Sequence, residues 1–184
     1  MICNKADLKK YIEQDNGYLH KDNYSLRKSY MRRTKEAEYY IGMFLVCLRK
    51  QEYYQNMNFS FKSKLLGLFY ERRKNRIGNS LGFYIQANCF DEGLTIFHHG
   101  SIIVNPNAKI GKNCRLHGNN CIGNNGVTEE CPEIGNNVDI GFGAVIIGNV
   151  KIADNIKIGA NAVVNKSFTE PDITIAGVPA KRVK

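Results

Sequence analysis

The sequence predicts a mainly β fold: a parallel coil of very short strands behind a helical N-terminal region. Three observations carry that expectation. Aliphatic residues recur every six positions from Val104 to Val164. All ten tyrosines lie before residue 93, while all four prolines and 12 of the 17 glycines lie at or after it. Arg32 to Tyr54 is free of proline and spaces its apolar residues as a helix does. With 184 residues, 43% hydrophobic and 23% charged, the chain can bury a core. Collagen-like, disordered and disulfide-dense classes do not share that composition.

In chain order, residues 5–15 are expected to form a short helix. Arg32 to Tyr54 follows, with Ile41, Phe44, Leu45 and Leu48 at helical spacing. Phe59 to Phe69 is a second helix candidate, placing Leu65, Leu66 and Phe69 on one face, and the basic stretch from Glu71 to Arg76 comes after it. Ile77 to Glu92 reads as a connector, so the domains are expected at 1–93 and 94–184. Residues 1–93 carry 17 Lys and Arg against 10 Asp and Glu, a balance of +7 out of a net +9. Clustered cations can attract nucleic acid or an anionic membrane. No named nucleic-acid motif accompanies them, so a solvated helix end is expected and no nucleic-acid partner.

No apolar run reaches the roughly 18–20 residues of a membrane span. The N-terminus is too polar for a signal peptide, which makes a cytoplasmic location the expectation. Six cysteines, at 3, 47, 89, 114, 121 and 131, show no CxxC pair. They are expected to be reduced thiols, several filling the core, and no metal site is expected.

The six-residue ladder decides the second region. Val104, Ile110, Leu116 and Ile122 are followed, after a twelve-residue step, by Ile134, Ile140, Ile146, Ile152, Ile158 and Val164. An α-helix would scatter such positions around its surface, and a hairpin sheet would alternate with period two. A prism-shaped parallel β-helix fits: each hexapeptide makes one face, three make a coil, and one aliphatic residue per face points inward. Glycine follows the ladder residue at 111, 123, 135, 141 and 159, and Asn at 105, 113, 119, 137, 155 and 161 fills further corners, where positive φ is cheap. Roughly three coils are expected from this arithmetic. The twelve-residue step marks a projecting polar loop, 124–133.

With this ladder and its ending AGVPAKRV, the stretch from Ile96 to Lys184 resembles the hexapeptide-repeat acyltransferases. Within them it is most similar to the serine O-acetyltransferases and their relatives acting on polysaccharide hydroxyls. The resemblance implies a left-handed β-helix, a helical N-terminal domain, homotrimers or larger assemblies, and an acetyl-CoA groove between subunits. The run from Ile96 to Val104 fits the family's aliphatic-Asp-His motif without a gap and puts His98 on the catalytic histidine. Imidazole, with an ordinary pKa of about 6.5, is a good general base for a hydroxyl at neutral pH. A strict six-residue phase would instead turn His98 inward and leave His99 outward as the better base.

Further site residues follow. Phe97 stands where serine acetyltransferases keep an aspartate, so Asp91 and Glu92, just upstream, are the nearest candidates to orient His98. His117 follows Leu116 at a corner and is placed to touch acceptor or thioester. Where the family's loop carries an Arg-His pair before proline, this chain has Glu130-Cys131 before Pro132. An anion there repels a carboxylate, which favours a saccharide hydroxyl over free serine as the acceptor. For CoA, the resemblance assigns Gly141, Gly143, Ala160 and Ala176 to the pantetheine arm and Lys181 and Arg182 to its phosphates. The expected function is an acetyl-CoA-dependent O-acetyltransferase acting on a small hydroxyl acceptor, the saccharide reading ahead of serine. A non-catalytic trimeric scaffold is the alternative from another class.

Overall fold

A computed structural model describes residues 1–16, 24–57 and 60–184. Among the described residues four helices come first: α1 (Lys5–Gln14), α2 (Tyr24–Thr34), α3 (Ala37–Asn56) and α4 (Phe61–Leu81). Asn4 caps α1 by accepting from the Asp7 amide, and Ser60 caps α4 by accepting from Ser63. The expected helix from Arg32 is split: its first residues end α2, and Lys35 takes a positive φ of 58° before α3 starts. The last helix is longer than expected. Its positions 67, 74, 78 and 81 are buried, so the basic stretch and the start of the expected connector are helical too.

Fourteen short strands follow, in three sheets. One face stacks β1 (Phe83–Ile85), β3 (Ile102–Val104), β6 (Cys121–Gly123), β9 (Val145–Ile147) and β12 (Val163–Val164), all parallel. A second face stacks β4 (Lys109–Ile110), β7 (Glu133–Ile134) and β10 (Lys151–Ile152), extended by single bridges at Phe90 and Phe168. On the third lie β2 (Thr95–Ile96), β5 (Arg115–Leu116), β8 (Asp139–Ile140), β11 (Lys157–Ile158) and β13 (Thr174–Ala176), closed by β14 (Lys181–Arg182) running antiparallel. The first sheet carries one strand per coil, so there are five coils rather than three. Stacking begins at Phe83, ahead of the expected boundary at 93/94. The ladder missed the outer coils because Ile96 to Val104 is a step of eight positions, Val164 to Phe168 one of four and Phe168 to Ile175 one of seven, which breaks its phase.

Every ladder residue from Val104 to Val164 is buried, and so is the residue two before it on most faces: Ala108, Cys114, Val138, Ala144, Val150, Ile156 and Ala162. Each face therefore sends two side chains inward, since alternate residues of a strand share a side. The corners divide their labour differently from expectation. Asn113, Asn119, Asn137, Asn155 and Asn161 take positive φ, and Asn113, Asn137 and Asn155 each donate to the next residue down the edge at 2.9 Å, ending on Asp172. The glycines after ladder residues do not need positive φ. At Gly111, Gly135, Gly141 and Gly159 it is close approach that requires glycine: a Cβ at Gly141 would lie 2.7 Å from the Ala160 nitrogen and the Ile158 oxygen.

The open edge of the first coil is covered by the helices. Arg49 is wholly buried and donates to Asp15 at 2.7 Å, to Glu52 at 2.9 Å, and to the Phe90 and Asp91 carbonyls at 2.8 Å each. Asp15 also accepts from the Gly93 and Leu94 amides, while Asn16 donates its amide to Leu94 and accepts from Ile96 at 2.8 Å. These contacts use up backbone groups that an exposed sheet edge would offer to another chain. No helix among the described residues is long and apolar enough to cross a membrane.

Candidate active site

The eight-residue step between Ile96 and Val104 places two extra residues in one corner. Ile96 and Ile102 point into the core, and both His98 and His99 are exposed. His98 therefore faces outward and not, as a strict six-residue phase would have it, inward, because the inward position at that level belongs to Ile96. Gly100, with φ 130°, closes the corner and donates its amide to Leu81 at 2.9 Å.

One coil below, His117 lies beneath Phe97. Their rings are 4.7 Å apart at 34°, and the Phe97 amide donates to the Leu116 carbonyl. A Cβ built on the neighbouring Gly118 would lie 3.5 Å from that of His98 and 3.3 Å from the Phe142 ring. His98, His117 and Phe142 thus belong to one corner built from successive coils. His98 has no hydrogen-bond partner among the described residues. His117 does: its Nε2 is 2.7 Å from Asp139 Oδ1. The opposite oxygen of Asp139 is 3.7 Å from Arg115. A carboxylate bonded to one ring nitrogen fixes an imidazole's orientation and leaves the other nitrogen available. Below, Asn120 is buried. It accepts from the Gly118 amide at 3.0 Å and donates to the Gly141 carbonyl at 2.8 Å, which ties these coils together.

The carboxylates expected to orient His98 are engaged elsewhere. Asp91 accepts from the Tyr11 hydroxyl and from the Glu92 amide. Glu92 is buried and paired with Lys10 at 2.7 Å and Lys112 at 3.2 Å. Burial works against its charge, yet the two lysines outweigh it and hold the carboxyl below the ordinary range. Both residues fasten α1 to the coil and neither touches His98. Asp139 was not singled out from the sequence. The available signal was register: Asp139 pairs with Arg115 across the β5–β8 ladder, two residues before His117. Glu130 is exposed in the projecting loop, away from any partner among the described residues.

Along the column that starts with Phe97 and His117, the next positions are Gly141, Gly159 and Ala176, all partly exposed. This leaves a shallow strip of backbone below His117. Gly143 and Ala160 flank it at the adjoining corner. The coil itself already demands the glycines, since a Cβ at Gly143 would meet Asn161 Oδ1 at 2.2 Å. Lys181 and Arg182 lie exposed on β14, and Arg182 is paired with Glu170 at 2.6 Å. No group of three or more metal-binding side chains occurs among the described residues.

No protein-family model matches the chain. Its sequence is similar to a serine acetyltransferase of Synechococcus elongatus, 30% identical over 92 residues, covering 49% of this chain and 37% of that protein. A serine acetyltransferase of Staphylococcus aureus is 36% identical over 93 residues, 50% of this chain and 43% of that one. The match therefore spans about two fifths of the curated relatives' length. Among solved structures, the serine acetyltransferase of Neisseria gonorrhoeae superposes with a TM-score of 0.69 at 25% identity, over 98% of this chain and 68% of that chain. The Brucella abortus enzyme in complex with coenzyme A gives 0.71 at 19% identity, over 97% and 68%, a likeness of fold.

Proposed function

We propose that this protein is an acetyl-CoA-dependent O-acetyltransferase with the left-handed β-helix and homotrimeric assembly of the hexapeptide-repeat acyltransferases. Serine is the acceptor that the names of its relatives favour. The observation that carries the reading is the histidine corner. An exposed His98 and a carboxylate-anchored His117 stand side by side above a strip of small residues, in a fold shared over nearly the whole chain with enzymes solved with CoA.

In this reading His98 removes the proton from the acceptor hydroxyl as its oxygen attacks the thioester carbonyl. The tetrahedral intermediate collapses, the C–S bond breaks, and the protonated His98 returns the proton to the departing CoA sulfur. No covalent acyl-enzyme is needed. His117, held by Asp139, lines the same corner and orients acceptor or thioester. The strip at Gly141, Gly143, Ala160 and Ala176 takes the pantetheine arm, and Lys181 and Arg182 take the phosphates.

A saccharide hydroxyl is the second reading. Phe97 caps His117 with an apolar ring, and Glu130 stands in the loop in place of a cation. Both suit a neutral acceptor better than an amino acid. Incubating the protein with acetyl-CoA and either serine or a panel of mono- and oligosaccharides, with mass spectrometry of the products, separates the two. O-acetylserine supports the first reading and an acetylated sugar the second. Absence of acetyl-CoA binding by calorimetry would leave only the trimeric scaffold.

A further inference from the structure

The most conspicuous surface outside the histidine corner is on α4. Its buried side, with Gly67, Lys74, Gly78 and Leu81, faces the rest of the chain. On the opposite side Phe61, Leu65, Leu68 and Phe69 are each more than half exposed, followed on the same stripe by Arg72 and Arg76. These positions fall within about 100° of each other around the helix and extend for about 22 Å along it. Lys62, Lys64 and Arg73 flank the stripe, and Glu71 is the only acid on the helix. Beside Phe69 the stripe opens into a groove of about 430 Å³ between α3 and α4, floored by Tyr40, Met43 and Ile77 and rimmed by Arg72, Arg73 and Arg76. None of these three arginines is ion-paired among the described residues.

We propose that this face of α4 seats on the surface of an anionic lipid bilayer. Large apolar side chains on successive turns are unfavourable in water, and contiguous exposed ones mark a contact surface. A helix with Phe and Leu along one stripe and Lys and Arg beside it is the form that lies in the headgroup region, with apolar chains inserted and cations among the phosphates. Charge selects the occupant. A second copy meeting this face would bring the Lys62, Lys64 and arginine cluster against the same cluster of its partner, with only Glu71 on each α4 to offset them. A nucleic-acid backbone would satisfy the cations but leave the Phe and Leu stripe without an apolar partner. An anionic bilayer satisfies both.

Flotation of the full chain with phosphatidylcholine vesicles, with and without phosphatidylglycerol, tests this. The protein is expected to float with the anionic vesicles, not with neutral ones, and to be released by high salt. Arg72→Glu with Arg76→Glu should weaken partitioning by about 25-fold or more, taking each basic residue near an anionic surface as worth about fivefold. Leu65→Gln with Phe69→Gln should also release it. All four positions are exposed, so helix content by circular dichroism and acetyl-transfer activity with a water-soluble acceptor should be unchanged. Equal flotation with neutral vesicles, or none with either, would overturn the proposal. So would association between copies, or retention on nucleic acid, that the Leu65 and Phe69 pair abolishes without any vesicle binding.

Discussion

Arg49→Met should separate the helices from the first coil. The parent guanidinium bonds Asp15, Glu52 and two backbone carbonyls with no exposure to water, and its cation lies 4.9 Å from the centre of the Tyr11 ring. Methionine fills similar volume but leaves both carboxylates buried without a cation and both carbonyls short of a donor. Breaking one partner of a buried ion pair costs about 3–5 kcal/mol. Each buried acceptor left unsatisfied adds about 1–3 kcal/mol before relaxation, so about 4 kcal/mol is a conservative expectation. Urea unfolding at fixed protein concentration measures it. Tyrosine emission reports the helical region and the start of the coils, because all ten tyrosines lie before residue 93 and the chain has no tryptophan. With a slope of about 2 kcal/mol per M, the midpoint should fall by about 2 M.

The deficit should also depend on pH. Burial already raises the Asp15 carboxyl above its ordinary value, with Arg49 and two amides opposing the rise. Without Arg49 the folded value rises further above the unfolded value of about 3.9. A carboxyl raised in the folded state penalises folding increasingly as pH climbs from the unfolded value to the folded one. The gap between parent and variant should therefore be widest near neutrality and narrow as pH falls toward the unfolded value. A midpoint shift below about 0.5 M, or a gap that widens in acid, would refute the clamp.

Other expectations concern the site. Asp139→Asn keeps the size of the side chain but loses the anion that holds His117, and should lower kcat by about 10–100-fold, the scale seen when a group orienting a functional histidine is removed. An unchanged kcat would make the Asp139–His117 contact structural only. His99→Ala should leave turnover within about threefold of the parent, because it is the His98 Cβ that approaches Gly118 beside His117; a loss as large as that expected for His98 would move the base to His99. Lys181→Ala with Arg182→Ala should raise KM for acetyl-CoA more than KM for the acceptor, and an unchanged KM would remove both from the CoA site.

Much of the coil was legible because its physics is periodic. One inward aliphatic residue every six positions, with asparagine at the corners, has few alternative solutions, and those residues are buried where expected. What the ladder missed lies where the chain departs from six. The two extra residues between Ile96 and Val104 hid the first coil and misdirected the orientation of His98. They also create the corner that exposes both histidines. The clamp around Arg49 was illegible because, apart from Glu52 one turn along the same helix, its partners Asp15 and the Phe90 and Asp91 carbonyls lie 34 to 42 residues away and become neighbours only when the helices dock. The same holds for Asp91 and Glu92, whose closeness to His98 along the chain disappears once each is bound to α1.

Acetyl transfer at the histidine corner is the central proposal. The measurement that tests it most directly is steady-state release of the CoA thiol from acetyl-CoA by the parent and by His98→Ala, with serine and with saccharides, at matched protein concentration. Acceptor-dependent thiol release that falls by about 100-fold or more in the variant, with its assembly and acetyl-CoA affinity retained, is the predicted result. Equal release by the two proteins would contradict it.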